Sequence, residues 1–334
     1  MEAQKTALTE LLNIDFPMMM APMYFVSNEK MIVEAMNCGI AAAMPVQNWN
    51  SEQEIITSFK AIKAKTTKGA FGVHFFNNQN LEHLEICLEL KIDYIICNIE
   101  ILEEIIAKTK ATKTKVFCEV LDLDDAKTAQ NLNADAIIAI NKNAMGKKGE
   151  LSATKFLSLL KEPIHIPIII QGGIGEGRGF YDGIEKLGAD GCSLGSIFLA
   201  TTESDISEEY KNACIYATDK EIVETSKILG FPTNVLKTNF IRRSSKNISL
   251  GLKMLSKAEK IKPKVVHYIL KNGFNKIKLA ATENTSEKIW FAGTAIRHST
   301  KIRSVSSIIN SISDAYVFLK KEKKVMSRSI SRES

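Results

Sequence analysis

The sequence predicts a (β/α)8 TIM barrel with a smaller C-terminal helical region. Short apolar runs alternate with helix-like stretches from the start of the chain, which is the pattern of βαβ units with a parallel sheet. Eight such runs fit within residues 1–219, and an open doubly wound sheet more often has fewer strands. The predicted strands are Pro17–Met23, Gly39–Met44, Ala70–Phe75, Tyr94–Cys97, Lys115–Val120, Ala136–Ile140, Ile168–Gln171 and Gly191–Leu194.

Capping residues and glycines set the predicted helix boundaries. Ser27 is the expected N-cap of a helix that ends at Asn37. Ser51 and Glu54 have the spacing of a capping box, and Asp122 is the expected cap of a later helix. The predicted helices between strands are 27–37, 51–65, 81–90, 101–109, 122–132, 152–161 and one that begins near residue 177.

Two glycine turns follow the seventh and eighth predicted strands, and we expect them to bind a phosphate. Gly172 and Gly173 form the first turn, and Gly195 and Ser196 form the second. Exposed backbone N–H groups at such turns bind anions, and barrels often bind phosphate after these two strands. The alternative is that the glycines only make tight turns.

Charge separates the C-terminal part of the chain from the rest. Residues 220–334 hold 24 Lys and Arg against 8 Asp and Glu, whereas residues 1–219 hold 20 against 30. We therefore expect a phosphate-binding barrel at 1–219, a basic helical insertion or lid at 220–295, a helix at 296–322 that packs back on the barrel, and a frayed tail at 323–334. Helices are predicted at Glu221–Leu229, Leu250–Ala258, Lys264–Lys271 and Val305–Lys321.

Composition excludes several classes of protein. The six scattered cysteines include no CxxC pair, and the five histidines have no zinc-site spacing, so we expect reduced core thiols and no metal. The chain has no apolar run of transmembrane length and no apparent secretory signal, which predicts a cytoplasmic protein without membrane contact. The basic region lacks interleaved aromatic residues, so nucleic acid is not an expected partner. The sequence leaves open whether the protein forms a homodimer.

Two motifs match other enzyme classes only in part. The glycines from Gly173 to Gly179 are spaced GxGxGxG and not GxGxxG, so they are a poor dinucleotide fingerprint. Gly191–Gly195 spells GxSxG, but a nucleophile elbow needs its serine between a strand and a helix. Ser193 instead falls within a predicted strand, which disfavours a hydrolase.

Several segments together resemble the nitronate monooxygenase (2-nitropropane dioxygenase) family, which also includes flavin-dependent enoyl-acyl-carrier-protein reductases. The resemblance covers most of residues 10–245, with a weaker echo at Gly293-Thr294-Ala295. Its segments are Ala21-Pro22-Met23, Phe71-Gly72-Val73, Gln171-Gly172-Gly173-Ile174, Gly188-Ala189-Asp190-Gly191, Phe198-Leu199-Ala200 and Glu203-Ser204.

The resemblance implies a barrel that binds FMN noncovalently. Its phosphate would lie at Gly172, Gly173, Gly195 and Ser196, in agreement with the two turns. The isoalloxazine would lie across the strand ends. The remaining expected cofactor-binding residues are Ala21, Pro22, Met23, His74 and Gln171. His74 stands where the family usually has asparagine, so it either hydrogen-bonds the flavin or packs in the core.

The segment after the sixth strand departs from the family pattern. Similar members have E-A-G-G-H there, with the histidine as catalytic base, whereas this chain has Lys147 at the histidine position. Lysine has a reference pKa of about 10.4 and is charged at neutral pH. We therefore expect Lys147 to act as a fixed cation or to face solvent, and a preformed nitronate to be a better substrate than its parent nitroalkane.

Three functions remain open from the sequence. The first is an FMN-dependent oxidoreductase that oxidises a small anionic substrate, such as an alkyl nitronate, with dioxygen. The second is an NAD(P)H-dependent enoyl-thioester reductase, whose acidic acyl carrier protein would suit the basic region. The third is a non-catalytic flavin-binding protein.

Overall fold

The computed structural model describes residues 4–78, 80–246, 263–283 and 285–333. Eight parallel strands form a closed barrel, as predicted. The barrel strands are β1 (Met18–Met20), β2 (Ala41–Pro45), β3 (Ala70–Phe75), β4 (Tyr94–Asn98), β5 (Lys115–Val120), β6 (Ala136–Ile140), β8 (Ile168–Gln171) and β9 (Gly191–Leu194). A short strand β7 (Gly146–Lys147) lies outside the barrel, between β6 and β8 in the chain.

Helices surround the barrel and cover its outer face. Those up to the eighth barrel strand are α1 (Ala7–Leu12), α2 (Glu29–Asn37), α3 (Glu52–Lys65), α4 (Leu84–Glu89), α5 (Ile99–Thr109), α6 (Leu123–Asn131), α7 (Ala153–Leu160) and α8 (Gly177–Tyr181). The interior of the barrel is filled by small and β-branched residues with a few aromatics, and Tyr94 stacks on Phe117 at 5.3 Å between ring centroids. Alternate residues of each strand face this interior, which makes it a packed core.

One helix boundary differs from the prediction. The N-cap of α2 is Asn28, whose side chain accepts a hydrogen bond from the amide of Met31 at 3.0 Å. Ser27, the predicted cap, instead accepts from the amide of Met23 at 3.0 Å. The hydroxyl therefore closes the turn after β1, which leaves the adjacent asparagine to begin the helix.

The prediction of a helix at Glu221–Leu229 is wrong. The structure has a strand β10 (Ile222–Thr225), which pairs antiparallel with β11 (Thr233–Leu236). β11 also pairs with β7, so the three strands form a small sheet beside the barrel. Val223 and Val235 are partners in this sheet, and the pairing outweighs the helical spacing of the segment.

The rest of the C-terminal region is helical where the structure describes it. Its helices are α9 (Glu208–Tyr216), α10 (Asn239–Lys246), α11 (Pro263–Thr282) and α12 (Val305–Glu333). α11 includes the helix predicted at 264–271, whereas the one predicted at 250–258 lies outside the described residues. α12 extends to Glu333, so residues 323–333 of the tail expected to fray are helical.

α12 packs against the barrel as the eighth outer helix. It lies against α2 and α8, and the Tyr316 ring meets those of Phe16 and Phe180 edge-on, each at 5.4 Å between centroids. In a simple barrel the eighth helix follows the eighth strand directly, whereas here residues 195–304 separate α12 from β9. The extra segment builds structure over the carboxyl ends of the strands.

Candidate active site

Two adjoining cavities open at the carboxyl end of the barrel strands. The larger has about 630 Å³ of empty space and the smaller about 360 Å³. Pro22, Met145 and Gln171 line both cavities, which together form one cleft. Strand-to-helix loops build the active site at this end of TIM barrels. The cleft is therefore the candidate active site.

The first glycine turn forms one wall of the smaller cavity. Gly172 and Gly173 have φ angles of 120° and 78°, which residues with a side chain rarely adopt. A Cβ on Gly172 would lie 2.6 Å from the amide nitrogen of Ala144, and one on Gly173 would lie 3.0 Å from Cβ of Asn143. Only glycine fits here without strain, so main chain and no side chain faces the cavity.

A buried asparagine fixes the shape of this turn. The side-chain amide of Asn141 donates to the carbonyl of Gly172 at 2.9 Å, and its oxygen accepts from the amide of Asn143 at 2.8 Å. Asn141 is fully buried at the end of β6. The turn is therefore preorganised by its neighbours and does not depend on a ligand for its conformation.

The second glycine turn makes the facing wall of the smaller cavity. Gly195 is less constrained than the first pair, since its φ is −118° and an added Cβ would lie 3.3 Å from Cε of Met145. The hydroxyl of Ser196 accepts from the amide of Gly293 at 2.8 Å, which holds the segment 293–295 against the turn. The two predicted turns thus line the same cavity, together with Ala295.

A hydroxyl without a partner lies beside this cavity. Oγ1 of Thr294 is buried and makes no hydrogen bond, and it is 3.2 Å from the position that a Cβ on Gly173 would occupy. A buried hydroxyl left unsatisfied costs about 1–3 kcal/mol. Thr294 is therefore available to a ligand that enters between the two turns.

The segment after β1 crosses the floor of the cleft. The amide of Ala21 donates to the carbonyl of Leu194 at 2.8 Å, and Pro22 has no amide hydrogen. Since the amide of Met23 also donates within the protein, to Ser27, this segment offers the cleft no free N–H. It contacts a ligand through side chains and carbonyl groups.

Lys147 lies in the wall of the larger cavity. It belongs to β7, where it is paired with Thr233 of β11, and its Nζ donates to Oδ1 of Asn98 at 3.2 Å. Asn98 is itself buried at the end of β4, and its amide group donates to the carbonyl of Phe76. The small sheet thus directs the ammonium group into the cleft, and the solvent-facing alternative is not the one observed.

His74 and Glu119 form a buried pair in the wall of the larger cavity. The side chains are 3% and 6% exposed, and Nε2 of His74 is 3.4 Å from Oε2 of Glu119. On the other edge of the imidazole ring, Nδ1 is 3.3 Å from the hydroxyl of Tyr24. Burial alone would raise the pKa of Glu119, but the adjacent imidazole of His74 and the charge of Lys147 hold that pKa below its usual value.

The extra C-terminal segment covers the larger cavity with apolar side chains. Ile277 and Ala281 of α11 line it, as do Ile289 and Phe291. Tyr210 reaches the cavity from α9, and its hydroxyl donates to the carbonyl of Phe291 at 2.5 Å. The cleft therefore has a polar base formed by the barrel and an apolar cover formed by residues beyond 207.

Ser193 does not have the geometry of a hydrolase nucleophile. It lies inside β9, is 1% exposed, and its hydroxyl donates to Oε1 of Gln171 at 2.7 Å. A nucleophile needs an adjacent base and an exposed oxygen at a sharp turn. The serine instead fixes the side chain of Gln171, which lines both cavities.

Sequence reasoning missed several polar residues of the cleft, three of which lie close to His74 or Lys147. Tyr24, Asn98 and Glu119 line the larger cavity or bond to a residue that does. One signal was available, because Glu119 is a carboxylate within an otherwise apolar buried strand, and such residues are rare without a functional or structural partner. Tyr24 and Asn98 carry no comparable signal.

Comparison with known proteins identifies the family. The model of the nitronate monooxygenase family matches residues 40–314. The chain belongs to this family. It is therefore an oxidoreductase of the nitronate monooxygenase family with a TIM-barrel fold.

Individual relatives are distant. A carboxyl-CoA dehydrogenase of Rhodococcus jostii, (3aS,4S,5R,7aS)-5-hydroxy-7a-methyl-1-oxo-octahydro-1H-indene-4-carboxyl-CoA dehydrogenase, is 25% identical over 245 residues, which cover 72% of this chain and 68% of the relative. A probable nitronate monooxygenase of Staphylococcus aureus is 24% identical, with 72% of this chain and 81% of the relative covered.

Solved structures share the fold over nearly the whole chain. FabK from Thermotoga maritima has a TM-score of 0.81 at 23% identity and covers 97% of this chain and 100% of its own. Nitroalkane oxidase from Streptomyces ansochromogenes has a TM-score of 0.75 at 19% identity, with coverages of 95% and 99%. Among the described residues, no helix is both long and apolar enough to cross a bilayer.

Proposed function

We propose that this family member is an FMN-dependent oxidoreductase that oxidises a small anionic substrate, such as an alkyl nitronate, with dioxygen. The observation that carries the proposal is the ammonium group of Lys147 in the wall of a cleft that continues into a main-chain cradle. A fixed cation in a partly dehydrated site favours an anion over a neutral molecule of the same shape.

The residues of the smaller cavity fit the phosphate of FMN. Gly172 and Gly173 present main chain where a Cβ would not fit, and the hydroxyl of Thr294 is buried without a partner beside them. Backbone amides and a free hydroxyl suit the oxygens of a phosphate dianion. Gly195 and Ser196 would complete the cradle from the facing turn.

The larger cavity suits the flavin ring and the substrate. Gln171, Pro22 and Met145 line both cavities and would lie along the ring, whereas Ala21 and Met23 would support it from the floor. When bound, FMN would accept electrons from the substrate and pass them to dioxygen. Lys147 would hold the negative charge of the substrate, and the apolar cover would exclude water from its carbon chain.

The absorbance spectrum of the purified protein and anaerobic reduction of its flavin test this proposal. We expect a flavin spectrum that bleaches when an alkyl nitronate is added, and oxygen consumption once air is admitted. The alternative outcome is a protein that binds FMN without any turnover of nitronates, enoyl thioesters or quinones. That result would support a non-catalytic flavin-binding protein. A protein that binds no flavin would contradict the cofactor assignment.

A second candidate is an NAD(P)H-dependent enoyl-thioester reductase that uses FMN. The apolar cover of Ile277, Ala281, Ile289 and Phe291 favours it, since a small nitronate needs little apolar surface. The relative from Rhodococcus jostii acts on a carboxyl-CoA, and the partner here would be an acyl-CoA or an acidic acyl carrier protein. Rapid anaerobic bleaching by NADH or NADPH, with no bleaching by nitronates, would favour this candidate over the first.

A further inference from the structure

One wall of the cleft carries three titratable side chains in contact with one another. His74 on β3 is 2% exposed and lies between the hydroxyl of Tyr24 and the carboxylate of Glu119 on β5. The hydroxyl is 3.3 Å from Nδ1, and the carboxylate is 3.4 Å from Nε2. Tyr24, His74 and Glu119 all line the larger cavity, and Tyr24 is on the loop after β1 whereas the other two are on barrel strands.

The arrangement fixes the role of each atom. The Glu119 carboxylate faces Nε2 of His74, which therefore carries the imidazole hydrogen, although its N–H is not aligned for a hydrogen bond in this conformation. Nδ1 then has a lone pair and accepts from the Tyr24 hydroxyl. Burial and the charge of Glu119 raise the pKa of Tyr24, which keeps that hydroxyl protonated at rest.

We propose that Tyr24, His74 and Glu119 form a proton relay that removes the α-proton of a neutral nitroalkane, an inference that rests on the proposed function. The C–H bond breaks and its proton moves to the oxygen of Tyr24, while the Tyr24 proton moves to Nδ1 of His74. The electron pair of the C–H bond stays on the substrate as the nitronate. The imidazolium ion that forms faces the Glu119 carboxylate.

The relay changes the expectation drawn from Lys147 alone. Lys147 bonds to Asn98, the strand partner of Glu119, and its charge acts on Glu119 and on an anion that forms in the cleft. It therefore stabilises the nitronate that the relay produces, and it need not accept a proton. Tyr24 on the loop after β1 and Glu119 on β5 face His74, and Lys147 on β7 acts on Glu119.

Hydrogen–deuterium exchange measures the relay without any redox step. Nitroethane is incubated anaerobically with the flavin-containing protein in deuterated buffer, and loss of the α-proton signal is followed by NMR. We expect Tyr24→Phe to lower the exchange rate by about 100-fold, since general acid–base catalysis contributes about 10²–10⁴-fold. The matched control is Tyr94→Phe, which removes a buried hydroxyl that has no hydrogen-bond partner. We expect the Tyr94→Phe protein to exchange the α-proton at a rate within about twofold of wild type, because Tyr94 takes no part in the relay.

Glu119→Gln tests the far end of the relay. We expect exchange to fall about tenfold or more, whereas Glu119→Asp should recover part of the rate because it keeps the carboxylate. The loss of exchange in Tyr24→Phe should exceed any loss in its oxidation of preformed ethylnitronate, because only exchange needs proton removal. Should Glu119→Gln fail to fold, Tyr24→Phe alone still decides the proposal, since its ring remains in the aromatic cluster with Phe76 and Phe274.

The outcomes separate the relay from the proposed function. Wild type that oxidises ethylnitronate but does not accelerate exchange would overturn the relay and leave the proposed function standing. Wild type that accelerates exchange while nitronate leaves the flavin oxidised would support the relay and refute the proposed function. Equal exchange rates in Tyr24→Phe and Tyr94→Phe would also overturn the relay.

Discussion

Replacing Gly173 with alanine tests the phosphate cradle. Its φ of 78° lies in the left-handed region, where a residue with a Cβ is destabilised by about 1–2 kcal/mol. The new Cβ would also meet Cβ of Asn143 at 3.0 Å and Oγ1 of Thr294 at 3.2 Å, so both groups must shift by a few tenths of an ångström. We expect the free energy of unfolding to fall by about 1–2 kcal/mol, from the backbone strain.

The same substitution should weaken FMN binding. Losing one hydrogen bond to a charged group costs about 1.5–3 kcal/mol, which corresponds to about 10–100-fold in the dissociation constant. Quenching of FMN fluorescence on titration with the apoprotein measures this constant, and denaturant unfolding of the apoprotein measures stability.

Gly179 offers a matched control for the alanine substitution. It lies in α8, and an added Cβ would have only Cγ2 of Ile174 near it, at 4.0 Å. Alanine is favoured over glycine in a helix by about 1 kcal/mol, so Gly179→Ala should bind FMN as wild type does and be slightly more stable. If Gly173→Ala bound FMN as tightly as Gly179→Ala, the cradle would not hold the phosphate.

Three further predictions concern Lys147 and Glu119 in the larger cavity and Asn234 of β11. Lys147→Met should lower kcat/KM for an alkyl nitronate by about 10–100-fold, as expected for loss of a hydrogen bond to a charged group, and should weaken its salt dependence in steady-state assays. Because the pKa of Glu119 is depressed in the folded state, its contribution to stability is present above the ordinary carboxyl pKa of about 4.3 and is lost as pH falls through the folded value. Unfolding of Glu119→Gln, followed against pH, should therefore be flatter in acid than unfolding of wild type. Asn234→Ala removes donors to the carbonyls of Lys142 and Ala144, at 3.0 and 2.8 Å, and should destabilise the protein by about 2 kcal/mol in denaturant unfolding.

The barrel could be predicted from sequence because its strands are buried on both faces. The predicted bounds of β3, β5, β6, β8 and β9 agree with those observed, since a run of apolar residues between turn residues has few other structures open to it. The two glycine turns could be placed for the same reason, because each follows directly from the end of such a strand.

The small sheet could not be predicted, because its strands are short and gain their structure from one another. β10 has only partly buried or exposed residues, so no apolar alternation marks it. Its partner β11 also pairs with β7 on a loop far away in sequence, and this tertiary contact decides the conformation of all three. The same contact holds Lys147 in the wall of the cleft, and no local pattern in the sequence predicts that contact.

The site was predicted best where main chain forms it and least well where lone side chains do. Gly172 and Gly173 are recognisable because their conformation restricts the residue type. Tyr24 and Asn98 reach the cleft through loop and strand geometry that a single sequence does not reveal. A lone polar residue in a sequence has many structural explanations, and only its neighbours in space select among them.

The late position of α12 in the chain has a consequence for biosynthesis. Phe16 and Phe180 stack on each other, but Tyr316 cannot cover them until the ribosome has released it. The seam between the first and last strands of the barrel therefore stays uncovered while residues 195–304 are being made. Contacts of such long sequence separation form slowly, so a nascent chain of this protein exposes apolar surface until its C-terminal helix is made and needs protection from aggregation during that time.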